Sequence, residues 1–192
     1  MNGVDTDKYS IAPIQHEGTV FINVGRLQMQ KNQALLIRAF AQVKEKEKNT
    51  KLIIVGEGEL RRELEEIIEK YDLKNYVSML GQCNNVQERL NASDVFVQSS
   101  DYEGLPISGL EAMACGLPII STKAGGTVDI VKNGINGFLV DVGDEDELAQ
   151  KMIFWLRIKI LVKKWEKNPE ELLKCLILKN VLKSTKALYL KD

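Results

Sequence analysis

Six short apolar runs, each bounded by Gly, Pro, Asn or Ser, constrain this chain more than any other feature: residues 20–24, 52–55, 77–80, 95–97, 119–120 and 138–140. Their length and flanks predict strands. After the first run, Leu35, Leu36, Ala39, Phe40 and Val43 recur at helical spacing; after the second, Leu60, Leu64, Ile67 and Ile68 do the same. Each set makes one apolar stripe on a helix. Strand and helix alternating through short loops predict an α/β domain, a doubly wound, mostly parallel sheet with helices on both faces. Ligands of such sheets sit beyond the carboxyl ends of the strands.

With 192 residues, 44% of them hydrophobic, the chain can bury one substantial core with a short appendage. The most apolar stretch, residues 153–162, is short and carries Arg157 and Lys159, which argues against a membrane-spanning helix. The polar first residues argue against a signal peptide. Cys83, Cys115 and Cys175 are odd in number and lack C-x-x-C spacing, as expected of reduced thiols in a cytoplasmic protein. Residues 151–192 hold 11 Lys and Arg against 4 Asp and Glu, a net +7 that leaves residues 1–150 at −8. We therefore expect a linker-like leader at 1–18, a ligand-binding domain at 19–150 and a helical tail at 151–192. Asp144 is expected to cap a helix with Glu147 in capping-box position, and Pro169 to break the tail in two. The tail lysines alternate with Leu and Ile without an aromatic ladder, so solvated amphipathic helix is the reading and nucleic acid is not. Peripheral contact with the inner membrane face is the second option.

Asp101 to Met113 follow the fourth strand directly, where a ligand belongs. Pro106 suits the first turn of a helix, because its missing N–H is one the helix does not use. The N–H groups of Ile107 and Ser108 are then expected to point outward and attract phosphate. Ile107, Leu110 and Ala114 predict the buried stripe of this helix, with Glu111 inside it. A carboxylate so placed needs partners; the vicinal hydroxyls of a ribose would satisfy it, as would a neighbouring loop that it caps. Gly25 to Asn32 join the first strand to its helix. With Asn32 as N-cap, Lys31 sits at the positive end of the helix dipole, a conflict that a bound anion removes. Arg26 offers a planar fork and Lys31 a point charge, together suited to a diphosphate. Two solvated basic residues in a polar loop are the alternative.

Other motifs read more plainly. Gly56-Glu57-Gly58-Glu59-Leu60-Arg61 opens like a dinucleotide fingerprint, but Arg61 stands at the third glycine position and NAD is not expected. Those glycines, like Gly125-Gly126-Thr127, read as turns. Asp5-Thr6-Asp7 and Asp144-Glu145-Asp146 match an Asp-x-Asp metal signature, the first in the leader and the second explained by capping, so neither is expected to hold metal. His16, the only histidine, reads as a surface residue and not as an acid or base.

Taken in order, these segments resemble the C-terminal domain of retaining GT-B glycosyltransferases, the glycosyltransferase 1 group of family 4 type. Asn2-Gly3-Val4-Asp5 resembles the interdomain linker, and Asn23-Val24-Gly25-Arg26-Leu27 with Lys31-Asn32 the first strand and phosphate loop. Val55-Gly56-Glu57-Gly58, Ser93 to Val97, Ser99 to Gly104, Leu110 to Pro118, Gly125-Gly126 and Asn136 to Val140 follow, covering residues 2–150. The resemblance implies a Rossmann-like half of a GT-B enzyme with a helical tail. It implies Arg26, Lys31 and Glu103 as catalytic residues, the first two on the diphosphate and Glu103 on the donor sugar. Glu111 would take the ribose hydroxyls, backbone groups at Gly25, Leu105, Ile107 and Ser108 the sugar and phosphates, and the loop at Gly81 would lie near the base. No cofactor and no metal are implied, since the nucleotide-diphospho-sugar is a substrate and positive charge replaces the metal at the departing phosphate. The expected partners are that donor, an unknown acceptor such as a glycan or lipid-linked glycan, and a separate N-terminal GT-B domain. Self-association through tail residues Leu172, Leu173, Leu176, Ile177 and Leu182 is the other option. Met1 falls at the family's domain boundary, so the acceptor half is expected to be absent and the isolated chain to transfer sugar poorly; the alternative is a silent binding module or truncated remnant. Asp129 stands where the family usually has Glu, and the tail from Met152 departs from the family pattern.

Overall fold

The computed structural model of the protein describes residue 5 and residues 8–165. Strands β1 (Thr19–Val24), β2 (Thr50–Val55), β3 (Val77–Gly81), β4 (Val95–Gln98), β5 (Ile119–Thr122) and β6 (Gly137–Val140) form one sheet in the order β3-β2-β1-β4-β5-β6. Every pairing is parallel. All six expected strands are thus present. They connect through α1 (Gln33–Lys46), α2 (Arg61–Lys70), α3 (Val86–Asn91), α4 (Ile107–Ala114), α5 (Thr127–Ile130) and α6 (Glu145–Trp165). Helices α3 and α5 span six and four residues, too short for helical periodicity to show in the sequence.

Because successive strand residues point to opposite faces, a sheet covered on both sides must be apolar throughout. Phe21, Leu52, Ile54, Val95, Val97 and Ile120 enter one core with α1, α2 and α6, while Ile22, Val55, Phe96 and Ile119 enter the other with α3 and α4. Sequence neighbours Phe21 and Ile22 therefore belong to different cores. The chain changes direction between β1 and β4, and this topological switch point is where such sheets open a crevice.

Helix α6 starts as expected: the Asp144 carboxylate accepts from Glu147 N at 2.8 Å. Glu147 does not complete the box on Asp144; its carboxylate reaches further out, to Asp141 N at 3.3 Å. The helix runs unbroken across residue 150 and buries Leu148, Ala149, Met152 and Leu156 in the first core. Met152 and Leu156 thus serve the domain. Pro169 and the leucines from Leu172 onward lie outside the described residues. Among the described residues no helix is long and apolar enough to cross a membrane.

The leader is fastened to the domain. Asn91, on α3, accepts from Ala12 N at 2.9 Å and donates to Ser10 O at 3.1 Å, and Tyr9 is buried in the second core. His16 is exposed with Nε2 3.4 Å from Asp94, at the amino edge of the sheet and far in the topology from the loops described next.

A candidate donor cleft at the carboxyl edge

Two loops at the switch point form the candidate site. The first follows β1. Leu27 is fully buried and anchors it, Met29–Lys31 make a single 3-10 turn, and Asn32 adopts a left-handed conformation at φ 44°. As expected, the Asn32 side chain caps α1, accepting from Leu35 N at 3.2 Å. Gln33 holds the Arg26 carbonyl at 2.9 Å, leaving the Arg26 side chain exposed and, among the described residues, without an ion pair. Gly56 and Gly58 do more than turn the chain. A Cβ on Gly56 would stand 1.9 Å from Gly25 O, and one on Gly58 2.3 Å from Leu27 O. The β2–α2 loop nests so closely under the first loop that only glycine fits.

The second loop follows β4 and is laced to the first. Ser99 donates to Lys31 O at 3.0 Å, Asp101 N to Gln30 O at 2.9 Å, and Gln30 to Tyr102 O at 2.8 Å. Asn32 reaches the Asp101 carboxylate at 2.8 Å. At the centre lies Glu103, 5% exposed, whose Oε1 accepts from Lys31 Nζ at 2.7 Å, Gln98 Nε2 at 2.7 Å and Ser100 Oγ at 2.6 Å. Gln98 Oε1 is buried and has no partner, a defect that costs about 1–3 kcal/mol. The β5–α5 loop supports this assembly from beneath. A Cβ on Gly125 would meet Glu103 O at 1.9 Å and one on Gly126 would meet Gly104 O at 2.1 Å.

Helix α4 corrects one expectation. Its buried residues are Gly109, Ala112 and Met113, not Ile107, Leu110 and Ala114. The small side chains of Gly109 and Ala112 let the helix lie close on the sheet, so the opposite face turns outward: Ile107 is exposed, Leu110, Glu111 and Ala114 half-buried. Glu111 was expected in the buried stripe and is half-buried, with Leu110 and Ala114 beside it packed against the second core. A second correction concerns the helix start, where Ile107 N bonds Leu105 O at 2.9 Å and is not free. Ser108 N finds no backbone acceptor outside the helix among the described residues. Leu105 is exposed beside it.

The Tyr9 hydroxyl faces Glu111. Burial first, then the Glu111 carboxylate, push the Tyr9 pKa up to about 12. Burial and then the same carboxylate push the Cys115 thiol up to about 11. Gly81 closes β3 with φ +72°, accepts from Gly56 N at 2.8 Å, and lies on the β2 side of the cleft. Of the two Asp-x-Asp segments, Asp144-Glu145-Asp146 stands apart from these loops. Glu145 pairs with Arg38 at 2.6 Å and Asp146 with Gln42 at 2.9 Å, while Thr6 and Asp7 lie outside the described residues.

The arrangement brings Lys31 and Glu103 into contact, with Arg26 on the same loop as Lys31 and Glu111 on the helix that follows Glu103. Gln98, Ser100 and Tyr9 were not singled out in the sequence. The available signal for Gln98 was a polar residue closing a buried apolar strand.

A parallel six-stranded sheet in this order is a doubly wound, Rossmann-like fold, and solved GT-B glycosyltransferases share it. The UDP complex of Anabaena Alr3699/HepE superposes with a TM-score of 0.76 at 26% identity, covering 97% of this chain and 50% of that one. The C-terminal domain of the group 1 protein LpcC from Francisella tularensis has the same fold, with a TM-score of 0.72 at 22% identity over 97% of this chain and 98% of its own. Residues 6–172 match the glycosyl transferases group 1 family, and the chain belongs to that family. It is 32% identical over 162 residues to the putative glycosyltransferase EpsD of Bacillus subtilis, covering 78% of this chain and 42% of that protein. It is 34% identical over 166 residues to the UDP-Gal:alpha-D-GlcNAc-diphosphoundecaprenol alpha-1,3-galactosyltransferase of Escherichia coli, covering 79% and 43%. The chain thus spans less than half the length of these relatives. The match also extends past Met152, against the expectation that the tail departs from the family pattern there.

Proposed function

We propose that this chain is the donor-binding half of a retaining, metal-independent glycosyltransferase that works at the cytoplasmic side on a glycan or lipid-linked glycan. The observation that carries the reading is the exposed Arg26, without an ion pair among the described residues, on the same loop as Lys31 at the carboxyl edge between β1 and β4. Two cations at a sheet's switch point suit a diphosphate. Glu111, half-buried on α4, takes the ribose hydroxyls; the Ser108 N–H adds a donor for phosphate or sugar; Gly81 borders the base. Glu103 faces the donor sugar.

In the transfer, the bond from the anomeric carbon to the β-phosphate oxygen breaks and its electron pair leaves on the phosphate. The acceptor hydroxyl oxygen forms the new bond on the same face and its proton passes to a phosphate oxygen. Arg26 and Lys31 stabilise the charge that develops there, each contributing roughly 3–4 kcal/mol when preorganised. Holding the acceptor calls for a second domain beside the one the described residues form, whether carried on the same polypeptide or another. A calorimetric panel of nucleoside diphosphates and their sugar conjugates, run in chelator, tests the reading. Saturable binding of one base class is expected; saturation only after magnesium or manganese is added defeats the metal-free part, and silence throughout defeats the whole.

A further inference from the structure

Resting on that donor-site reading, we propose that Gln98 and Ser100 are positioning residues for Lys31: by sharing the Glu103 oxygen they keep the lysine ammonium placed for, and releasable to, the donor's diphosphate. Three donors converge on one carboxylate oxygen, Lys31 Nζ at 2.7 Å, Gln98 Nε2 at 2.7 Å and Ser100 Oγ at 2.6 Å. The pair is lopsided, with the Glu103 side chain 5% exposed and that of Lys31 25% exposed. The anion is fixed inside and the cation stands at the opening. Were Lys31 the only donor, a buried carboxylate would grip it as a tight ion pair, because leaving would strand an unpaired buried charge. Two neutral donors on the same oxygen spread that charge and keep Glu103 satisfied when Lys31 turns toward phosphate.

Gln98 supplies a second, independent observation. Its Oε1 is buried without a partner, and its side chain is packed deep against the α4 position of Gly109. Packing alone favours Leu or Met at this position, since either fills similar space without an orphaned carbonyl. The amide N–H on Glu103 is the one thing an apolar residue cannot provide. The backbone around the cluster is held as well: Ser99 bonds Lys31 O at 3.0 Å and Thr122 bonds Ser100 O at 2.6 Å. Lysine and carboxylate are therefore anchored from both loops.

The experiment is calorimetry of the full chain with UDP and with uridine, for Gln98→Met and Ser100→Ala, each alone and combined with Lys31→Ala, beside thermal melts. Each single variant should weaken UDP about three- to tenfold and leave uridine unchanged. Gln98→Met should melt no lower than the parent chain, and in the Lys31→Ala background neither change should alter UDP affinity further. Unchanged UDP affinity in Gln98→Met and Ser100→Ala, with Lys31→Ala weakened, overturns the proposal and leaves the donor site standing. Equal losses for UDP and uridine, or losses that persist in the Lys31→Ala background, overturn it in favour of a packing role. Undiminished UDP binding by Lys31→Ala overturns the donor-site reading and the proposal with it. Should Ser100→Ala fold poorly, Gln98→Met decides alone.

Discussion

At the scale of single residues, the proposed donor site rests on Arg26, Lys31 and Glu111. Arg26→Ala and Lys31→Ala should each weaken UDP about tenfold to a hundredfold, the worth of a charge-assisted hydrogen bond, while sparing uridine; equal losses for both ligands would mean a folding defect. Glu111→Gln should lower the preference for ribo- over 2'-deoxynucleotides, and an unchanged preference would remove Glu111 from the ribose role. Tyr9 and Cys115 set an alkaline limit. Both are neutral when protonated, and both ionise less readily folded, near pH 12 and 11, than at their ordinary 10 and 9. Their contribution to stability is whole below about pH 9 and is lost as pH rises through their folded values. Tyr9→Phe should therefore cost progressively less, relative to the parent, in denaturation profiles between pH 10 and 12; a pH-independent difference would contradict it. For Lys31 the sequence showed a cation in want of an anion, and within the fold Glu103 meets that want; the donor roles of Arg26 and Glu111 remain proposals that these variants test. Gln98, Ser100 and Tyr9 were not legible, since their meaning depends on contacts formed only when distant segments meet.

At the scale of elements, the six strands and helices α1 and α2 were legible because burial on both faces and periods of 2.0 and 3.6 residues leave marks in composition. Helix α4 shows the limit of that signal. Ile107, Leu110, Glu111 and Ala114 do share a face, but periodicity alone did not say which face turns inward, and glycine and alanine decided it by permitting close approach. Close approach also yields a prediction. Gly125→Ala adds a Cβ 1.9 Å from Glu103 O at a residue with φ +51°, whereas Gly134→Ala, with φ +77°, meets nothing within 4 Å. The second should cost about 1–2 kcal/mol for the left-handed backbone alone, and the first more, about 3 kcal/mol or above. Urea midpoints separate them, and equal shifts would show that the loop yields. Asp144→Ala removes the cap of α6 and should cost about 1 kcal/mol by the same measurement.

At the scale of the whole molecule, the chain presents a candidate donor cleft and, among its described residues, one domain to hold it. A monomeric preparation should therefore bind a nucleotide donor yet transfer sugar slowly, because positioning the acceptor against the anomeric carbon accounts for several orders of magnitude in rate. Robust transfer without any partner would contradict this. The central claim, that the donor lies on the loops after β1 and β4, is tested most directly by mapping amide chemical shifts of the chain as UDP is added in chelator. Saturable changes are expected at residues 25–32 and 99–111, with Thr19, Thr50 and Asp94 at the amino edge unmoved. Shifts centred on that amino edge, or none at saturating UDP, would contradict it.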